Sequence, residues 1–272
     1  MRKINIIKVK QFINNILTKH NISNSETNYI ISYCLNISLS EVYLLKDITI
    51  MQFFKIKRVC KKRVKGKPLT KIFNKAYFYG FEFYVNNNVL SCRQDTELLI
   101  EQILKCVNKQ SSVLDLCCGS GCIGLTLNKL GYNNVTLCDV SKKALKVAIK
   151  NKKTLKCNVN VIKSNMFSNI INKFDLIVSN PPYIPSSDIK LLDTEVKKYD
   201  PLISLDGGED GLKFYKIIAK ESKKFLNSNG YLVLEIGFNQ AESVVNLLKN
   251  NFECVVYKDY GNNDRVIVAK LK

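Results

Sequence analysis

The chain carries a single histidine and no Cys-x-x-Cys pair among its ten cysteines, so the usual zinc-ligand spacings are missing and no metal is expected. His20, with no second histidine or carboxylate cluster beside it, reads as a solvated surface residue. No apolar run approaches the roughly 18 residues that a bilayer-spanning helix requires, which argues against a membrane protein. The start, Met1-Arg2-Lys3-Ile4-Asn5, leads into amphipathic rather than continuously apolar sequence, unlike a secretory signal, so a cytosolic protein with reduced cysteines is expected. Arginine is scarce too, supplying only five of 42 basic residues. The net charge of +19 is therefore carried by lysine, alongside abundant Asn and Ile, a bias that genome composition alone can produce. One block lacks acidic residues altogether: residues 55–75, beginning at Lys55 and ending at Lys75, hold ten Lys or Arg. It reads equally as a solvated helix face and linker or as a weak contact for a polyanion.

What is present is organised in three stretches. Residues 1–72 show helical spacing, with Ile6, Val9, Ile13, Ile16 and Leu17 on one face and Tyr29, Ile30, Tyr33, Cys34 and Ile37 on another. Ser25 and Ser40 stand where helices could start, Ser40 before Glu41 being the clearer N-cap. A small helical domain is expected there. Residues 73–92 alternate in aromatics and read as a β-hairpin connector turning at Asn86-Asn87-Asn88. Residues 93–272 form the third stretch, and from Ser111 onward strands and helices alternate. Strands are expected at 113–117, 135–139, 159–163, 174–179, 231–236, 252–257 and 265–270. That pattern predicts an α/β, Rossmann-like sheet, mainly parallel. Its last strand should be antiparallel, because the Gly261-Asn262-Asn263 turn is too short for a parallel crossover.

Two segments carry chemistry. The first expected strand runs into Asp115-Leu116-Cys117-Cys118-Gly119-Ser120-Gly121-Cys122-Ile123-Gly124 and then a helical pattern. Glycines let the backbone approach a ligand closely, and the following helix offers free N–H groups. Asp139, ending the second strand, could accept both ribose hydroxyls of an adenosine. Gly119-x-Gly-x-x-Gly124 also matches a dinucleotide fingerprint, so a nicotinamide-dependent oxidoreductase is a competing reading. After the fourth strand stands Asn180-Pro181-Pro182-Tyr183. There a strand stops abruptly and presents one amide and stiff backbone carbonyls at the edge of the sheet where α/β proteins bind ligands.

Asp-x-x-x-Gly-x-Gly with a downstream acid and a reversed seventh strand resembles the class I S-adenosylmethionine methyltransferases. The resemblance implies S-adenosylmethionine as cofactor, with Asp115 meeting its amino group, Cys117, Cys118, Gly119, Ser120 and Gly121 wrapping the methionine end and Asp139 holding the ribose. The segment Ser164-Asn165-Met166 would lie near the adenine. Asn165 departs from the acidic residue often found there, though its amide oxygen could accept the same hydrogen bond. Met166 fits either the adenine face or the core.

The Asn180 to Tyr183 motif is shared by enzymes that methylate planar nitrogens in nucleobases and glutamine side chains. A delocalised amide nitrogen is a poor nucleophile. N–H donation to the Asn180 side-chain oxygen and the Pro181 carbonyl would aim it and favour a pyramidal geometry, with Tyr183 packing on the planar group. Further segments narrow the choice: Arg93-Gln94-Asp95-Thr96-Glu97, residues 201–211, Leu234-Glu235-Ile236-Gly237 and Asp264-Arg265-Val266. With Asn180-Pro-Pro-Tyr183 they resemble the release-factor glutamine methyltransferases over nearly the whole chain. That family has a helical amino-terminal domain joined by a hairpin. The resemblance implies methylation of the glutamine in the Gly-Gly-Gln loop of class I peptide chain release factors, clamped by Asn180, Pro181, Pro182 and Tyr183, with Asn180 also close to the cofactor. Cys92 replaces a proline common in the family pattern. Glutamine methylation of a ribosomal protein and amino-methylation of a nucleobase stand as rival substrates. The acidic, Gly-rich turn 206–211 reads as a structural loop capping the next helix.

Overall fold

The computed structural model describes residues 2–272; Met1, where the expected helical stretch begins, lies outside the described residues. By internal contacts the chain divides into two units, Met1–Asn74 and Lys75–Lys272.

In the first unit a short antiparallel pair, β1 (Lys3–Asn5) and β2 (Asp47–Thr49), accompanies five helices. They are α1 (Ile6–Lys19), α2 (Glu26–Leu35), α3 (Leu39–Leu44), α4 (Ile50–Arg63) and α5 (Leu69–Phe73). α1 buries Ile6, Val9, Ile13 and Leu17, spaced for one helical face. In α2 the buried residues are Thr27, Ile30, Ile31 and Cys34, whereas Tyr29, expected inward, is 48% exposed. The α3 cap is Ser38 rather than Ser40: its hydroxyl accepts the Glu41 N–H while the Glu41 carboxylate accepts the Ser38 N–H. Spacing explains the shift, because a capping box needs the acid three positions after the cap. The basic block is partly committed within this unit, since Arg63 pairs with Glu26 at 2.7 Å and Lys55 donates to the Cys34 carbonyl. Lys71 is buried, while Arg58, Lys61, Lys62 and Lys65 are exposed.

The second unit opens with a hairpin, β3 (Lys75–Phe78) and β4 (Phe81–Tyr84). It turns at Tyr79-Gly80, not at Asn86-Asn87-Asn88. Both turn residues have positive φ, 49° and 79°, which a two-residue turn matched to strand twist requires. The asparagines form the next turn, where the Asn86 side chain accepts the Asn88 N–H.

Seven strands then build one sheet: β5 (Ser112–Leu116), β6 (Asn134–Asp139), β7 (Asn160–Lys163), β8 (Phe174–Ser179), β9 (Leu226–Glu235), β10 (Phe252–Lys258) and β11 (Asp264–Leu271). Their order is β10-β11-β9-β8-β5-β6-β7, and β11 runs antiparallel to both neighbours. Helices α6 (Glu97–Cys106), α7 (Cys122–Lys129), α8 (Lys142–Thr154), α9 (Thr194–Tyr199), α10 (Lys213–Glu221) and α11 (Ala241–Leu248) complete the unit.

Successive residues of the central strands enter opposite cores. Val113, Leu176, Val178 and Val233 join one cluster, and Leu114, Ile177, Leu232 and Leu234 the other. Burial on both faces is why these strands read as continuous apolar runs in the sequence. Chain order reverses between β5 and β8, which makes their carboxyl ends the crevice where ligands bind in open α/β sheets. No helix among the described residues is long and apolar enough to cross a membrane.

Candidate active site

Strand register brings distant residues to one edge. Leu116 pairs with Cys138 and Ser179, and Ser179 pairs with Leu234. One step beyond those pairs, Cys117, Asp139, Asn180 and Glu235 leave the sheet side by side.

A cavity of about 950 Å³, open to solvent, lies over this edge. Of the sequence-expected residues, Cys117, Cys118, Gly119, Ser120, Asp139, Asn165, Met166, Asn180 and Pro182 line it. Asp115, Gly121, Pro181 and Tyr183 do not form its wall. Asp115 is fully buried at the end of β5, where Oδ2 accepts the Gly124 N–H at 2.9 Å and Oδ1 has no partner. Burial pushes its carboxyl up to about 7, with the Asp139 charge adding to the effect. Gly121 caps α7 with φ 79°, and its N–H donates to the Cys118 carbonyl.

The loop between β5 and α7 is held from two sides. Asp139 Oδ2 accepts the Gly119 N–H at 2.9 Å, and its Oδ1 accepts the Ser141 N–H at 2.8 Å. From α8, the buried Asn151 donates to the Ser120 carbonyl, while its oxygen accepts the Tyr84 N–H of the hairpin. Each Asp139 oxygen keeps further lone-pair capacity, which suits two ribose hydroxyls. Burial raises the Asp139 pKa against the lowering effect of its backbone donors. The space around Gly119 matters as well: φ is 56°, and a Cβ there would meet nothing within 4 Å, so the backbone faces open room. A carboxylate with spare acceptors beside a bare glycine backbone fits S-adenosylmethionine. Across the cavity Met166 is nearly buried in left-handed backbone, φ 50°, with its sulfur 3.8 Å from the Cys117 thiol. Asn165 is exposed. The ten cysteines are reduced thiols; burial raises the pKa of Cys117 and Cys118, and the hydrogen bond with Cys92, ahead of burial, raises that of Cys122.

The Asn180 segment rests on a network that local sequence pattern hardly signals. Asn180 Nδ2 donates to Thr96 Oγ1 at 3.3 Å, and Thr96 Oγ1 donates to Glu235 Oε2 at 2.6 Å. The Tyr183 hydroxyl donates to Glu235 Oε1 at 3.4 Å, and burial beside that carboxylate raises its pKa. Tyr215 of α10 donates to the Glu235 backbone carbonyl. Burial pushes Glu235 itself up to about 7 against the lowering effect of Thr96 and Arg265. Among the described residues no donor reaches Asn180 Oδ1, so this acceptor is available at the cavity wall. Thr96 and Glu235 were visible only as members of longer segments. An acid ending an apolar strand is the signal that could have singled out Glu235.

The acidic turn after the short 3-10 helix Leu202–Ser204 supports the same segment structurally. Ile184 N–H donates to the Leu205 carbonyl, Gly207 N–H to the Ile184 carbonyl and Ser186 N–H to the Gly208 carbonyl. A Cβ on Gly207 would come within 2.8 Å of the Tyr183 backbone. Gln240 ties the Tyr183 carbonyl from the far side at 2.9 Å.

Similarity to known proteins agrees with this geometry. Residues 82–194 match the family model of the methyltransferase small domain. A release factor glutamine methyltransferase of Thermodesulfovibrio yellowstonii is 37% identical over 275 residues, covering 97% of this chain and 98% of the relative. One from Fusobacterium nucleatum is 45% identical over 214 residues, 76% of this chain but 60% of that protein's length. Among solved structures, a methyltransferase from Pyrococcus furiosus shares the fold, with a TM-score of 0.55 and 17% identity over 79% of this chain and 98% of that one. The reversed β11, the β5–β8 crevice and full-length similarity at this level of identity converge on one assignment: the chain belongs to the release factor glutamine methyltransferase family.

Proposed function

We propose that this protein transfers the methyl group of S-adenosylmethionine to the side-chain amide nitrogen of the glutamine in the Gly-Gly-Gln motif of class I peptide chain release factors. The observation that carries the reading is the donor-free Asn180 Oδ1 on the cavity wall, one residue beyond the β5–β8 pairing that also delivers the Gly119 loop.

S-adenosylmethionine, when bound, supplies an electrophilic methyl on a sulfonium. Asp139 would hold its ribose hydroxyls, the backbone of residues 117–121 would take the methionine end, and Asn165 with Met166 would border the adenine. Asn180 Oδ1 and the Pro181 carbonyl would accept the two N–H bonds of the glutamine amide and orient its nitrogen, which gives up one proton to the water of the open cavity as it gains the methyl. Most of the rate gain comes from this positioning and from fixed dipoles. Pro182 stiffens the wall. Tyr183, held by Glu235 and Gln240, braces the segment behind the cavity wall. Residues 1–72 serve substrate recognition, 73–92 link them to the catalytic stretch 93–272, and the free thiols suit a reducing cytosol.

Transfer of labelled methyl to purified release factor, to its Gln→Ala loop variant, and to ribosomal protein and RNA tests the reading. Label on release factor that vanishes in the Gln→Ala variant supports it. Label confined to ribosomal protein or RNA overturns the substrate while leaving methyl transfer in place.

A further inference from the structure

We propose that Thr96 and Glu235 are positioning residues that decide which end of the Asn180 amide faces the substrate. The inference rests on the reading in which Asn180 Oδ1 accepts a substrate N–H.

An asparagine amide presents an acceptor at one end and two donors at the other, and the two orientations are nearly identical in shape. Only the orientation with Oδ1 outward can receive a substrate N–H; the reverse sets two donors against each other. Something must distinguish them, and the proton inventory of the network does. An ionised Glu235 can only accept. Thr96 has one hydroxyl proton, committed to Glu235 Oε2 at 2.6 Å, so toward Asn180 it can only accept. The partner it accepts from is Asn180 Nδ2 at 3.3 Å, and Oδ1 is left facing the cavity. Were the amide reversed, two oxygens without a shared proton would meet in a site where Thr96 is 3% and Glu235 1% exposed, and such a buried mismatch is costly.

The surrounding groups fix the carboxylate that starts this chain of donors. Tyr183, from the loop after β8, donates to its second oxygen, and Tyr215 of α10 donates to its backbone carbonyl. Arg265 of β11 donates to the carbonyl of the adjacent Ile236 and pairs with Asp259 at 3.0 Å and Asp95 at 3.8 Å. Arg93, on the segment before α6, pairs with Asp200 at 4.0 Å. Arg265 and Arg93 favour ionised Glu235, whereas burial and Asp95 oppose it, leaving its pKa at about 7. Protonated Glu235 can donate to Thr96 Oγ1. The Thr96 proton is then free to turn toward Asn180, the amide reverses to offer Oδ1 inward, and the substrate N–H loses its acceptor. Turnover should therefore fall as pH drops through about 7.

The test compares methyl transfer to release factor from about pH 6 to about pH 9 in wild type, Thr96→Val, Thr96→Ser, Glu235→Gln and Asn180→Ala. Thr96→Val keeps the shape and removes the hydroxyl. We expect kcat at high pH to fall about tenfold or more, KM for S-adenosylmethionine to stay within about twofold, and the acid limb to disappear. Thr96→Ser should restore both turnover and the acid limb. Glu235→Gln, which cannot ionise, should give a flat profile across the same range even if Thr96→Val folds poorly. The inference is overturned by Thr96→Val with wild-type kcat, by Thr96→Ser failing to restore turnover, or by an acid limb that persists in Thr96→Val or Glu235→Gln. Asn180→Ala separates the two levels. Wild-type turnover there removes Asn180 from the reaction and the inference with it, whereas an inactive Asn180→Ala beside a normal Thr96→Val removes only the inference.

Discussion

Replacing Asp139 with asparagine should weaken cofactor binding without unfolding the protein, and the two effects can be worked separately from its hydrogen bonds. Oδ2 accepts the Gly119 N–H at 2.9 Å and Oδ1 the Ser141 N–H at 2.8 Å, so both oxygens already face a backbone donor. In Asp139→Asn one oxygen becomes an NH2 group that meets one of those donors head-on, and one acceptor for a ribose hydroxyl is lost with it. A hydrogen bond to a charged group contributes about 1.5–3 kcal/mol. At 1.4 kcal/mol per decade, the dissociation constant of S-adenosylhomocysteine should rise about 10- to 150-fold. Stability moves differently. Burial raises the Asp139 pKa, so the ligand-free fold holds the ionised carboxylate at a cost that asparagine avoids. That gain offsets much of the lost loop contact. Titration calorimetry with S-adenosylhomocysteine at about pH 8, paired with a ligand-free thermal melt, reads both. An unchanged dissociation constant in a folded variant would refute the ribose placement. Weaker binding matched by a collapse in Tm would reduce Asp139 to a loop anchor.

Three more outcomes follow from particular contacts. A Cβ on Gly124 would collide with Leu137 Cδ2 and sit 3.1 Å from Asp115 Oδ2, so Gly124→Ala should destabilise by about 1–3 kcal/mol and lower Tm by several degrees; a wild-type melt would mean that Leu137 has room to swing aside. Asp115 and Glu235, raised from 3.8 and 4.5 to about 7, bind more protons folded than unfolded between those values, so their contribution to stability falls as pH rises through that window and levels off above it. Urea unfolding of Asp115→Asn across the same range should show a shallower fall, and an identical slope would contradict the burial argument. Reversing the exposed charges Arg58, Lys61 and Lys62 should weaken partner association and its salt dependence while kcat at saturating substrate holds; unaltered, salt-independent association would assign the lysine excess to composition alone.

The seven-stranded sheet was legible because its central strands are buried on both faces. Such strands must be apolar throughout, and apolar runs bounded by glycine or polar turns are what a sequence displays most openly. β8 matches its expected span of 174–179, and the reversed β11 followed from the brevity of the turn before it. The hairpin turn was not legible. Tyr79 adopts φ 49° beside Gly80, whereas three consecutive asparagines a few residues later carry the stronger local turn signal. The Ser40 cap failed for a similar reason: adjacency to Glu41 looked favourable, but reciprocal capping needs the spacing that Ser38 has.

Sequence by itself determined the family, the order of strands and helices, and the two loops that meet at the crevice, because each rests on residues contiguous in the chain. Only the tertiary structure decided how those loops are held. Thr96 and Glu235 lie 139 positions apart, and they meet because Ser179 pairs with Leu234 in the sheet and α6 begins beside that edge. Asp115, which the resemblance places at the cofactor's amino group, is fully buried near the end of β5. Gly124 is the residue that covers it, since a helix residue without a side chain lets α7 approach β5 closely enough for its N–H to reach the carboxylate. Local pattern records which face of an element is buried; what each polar group meets once buried is set by register and packing between elements remote in sequence.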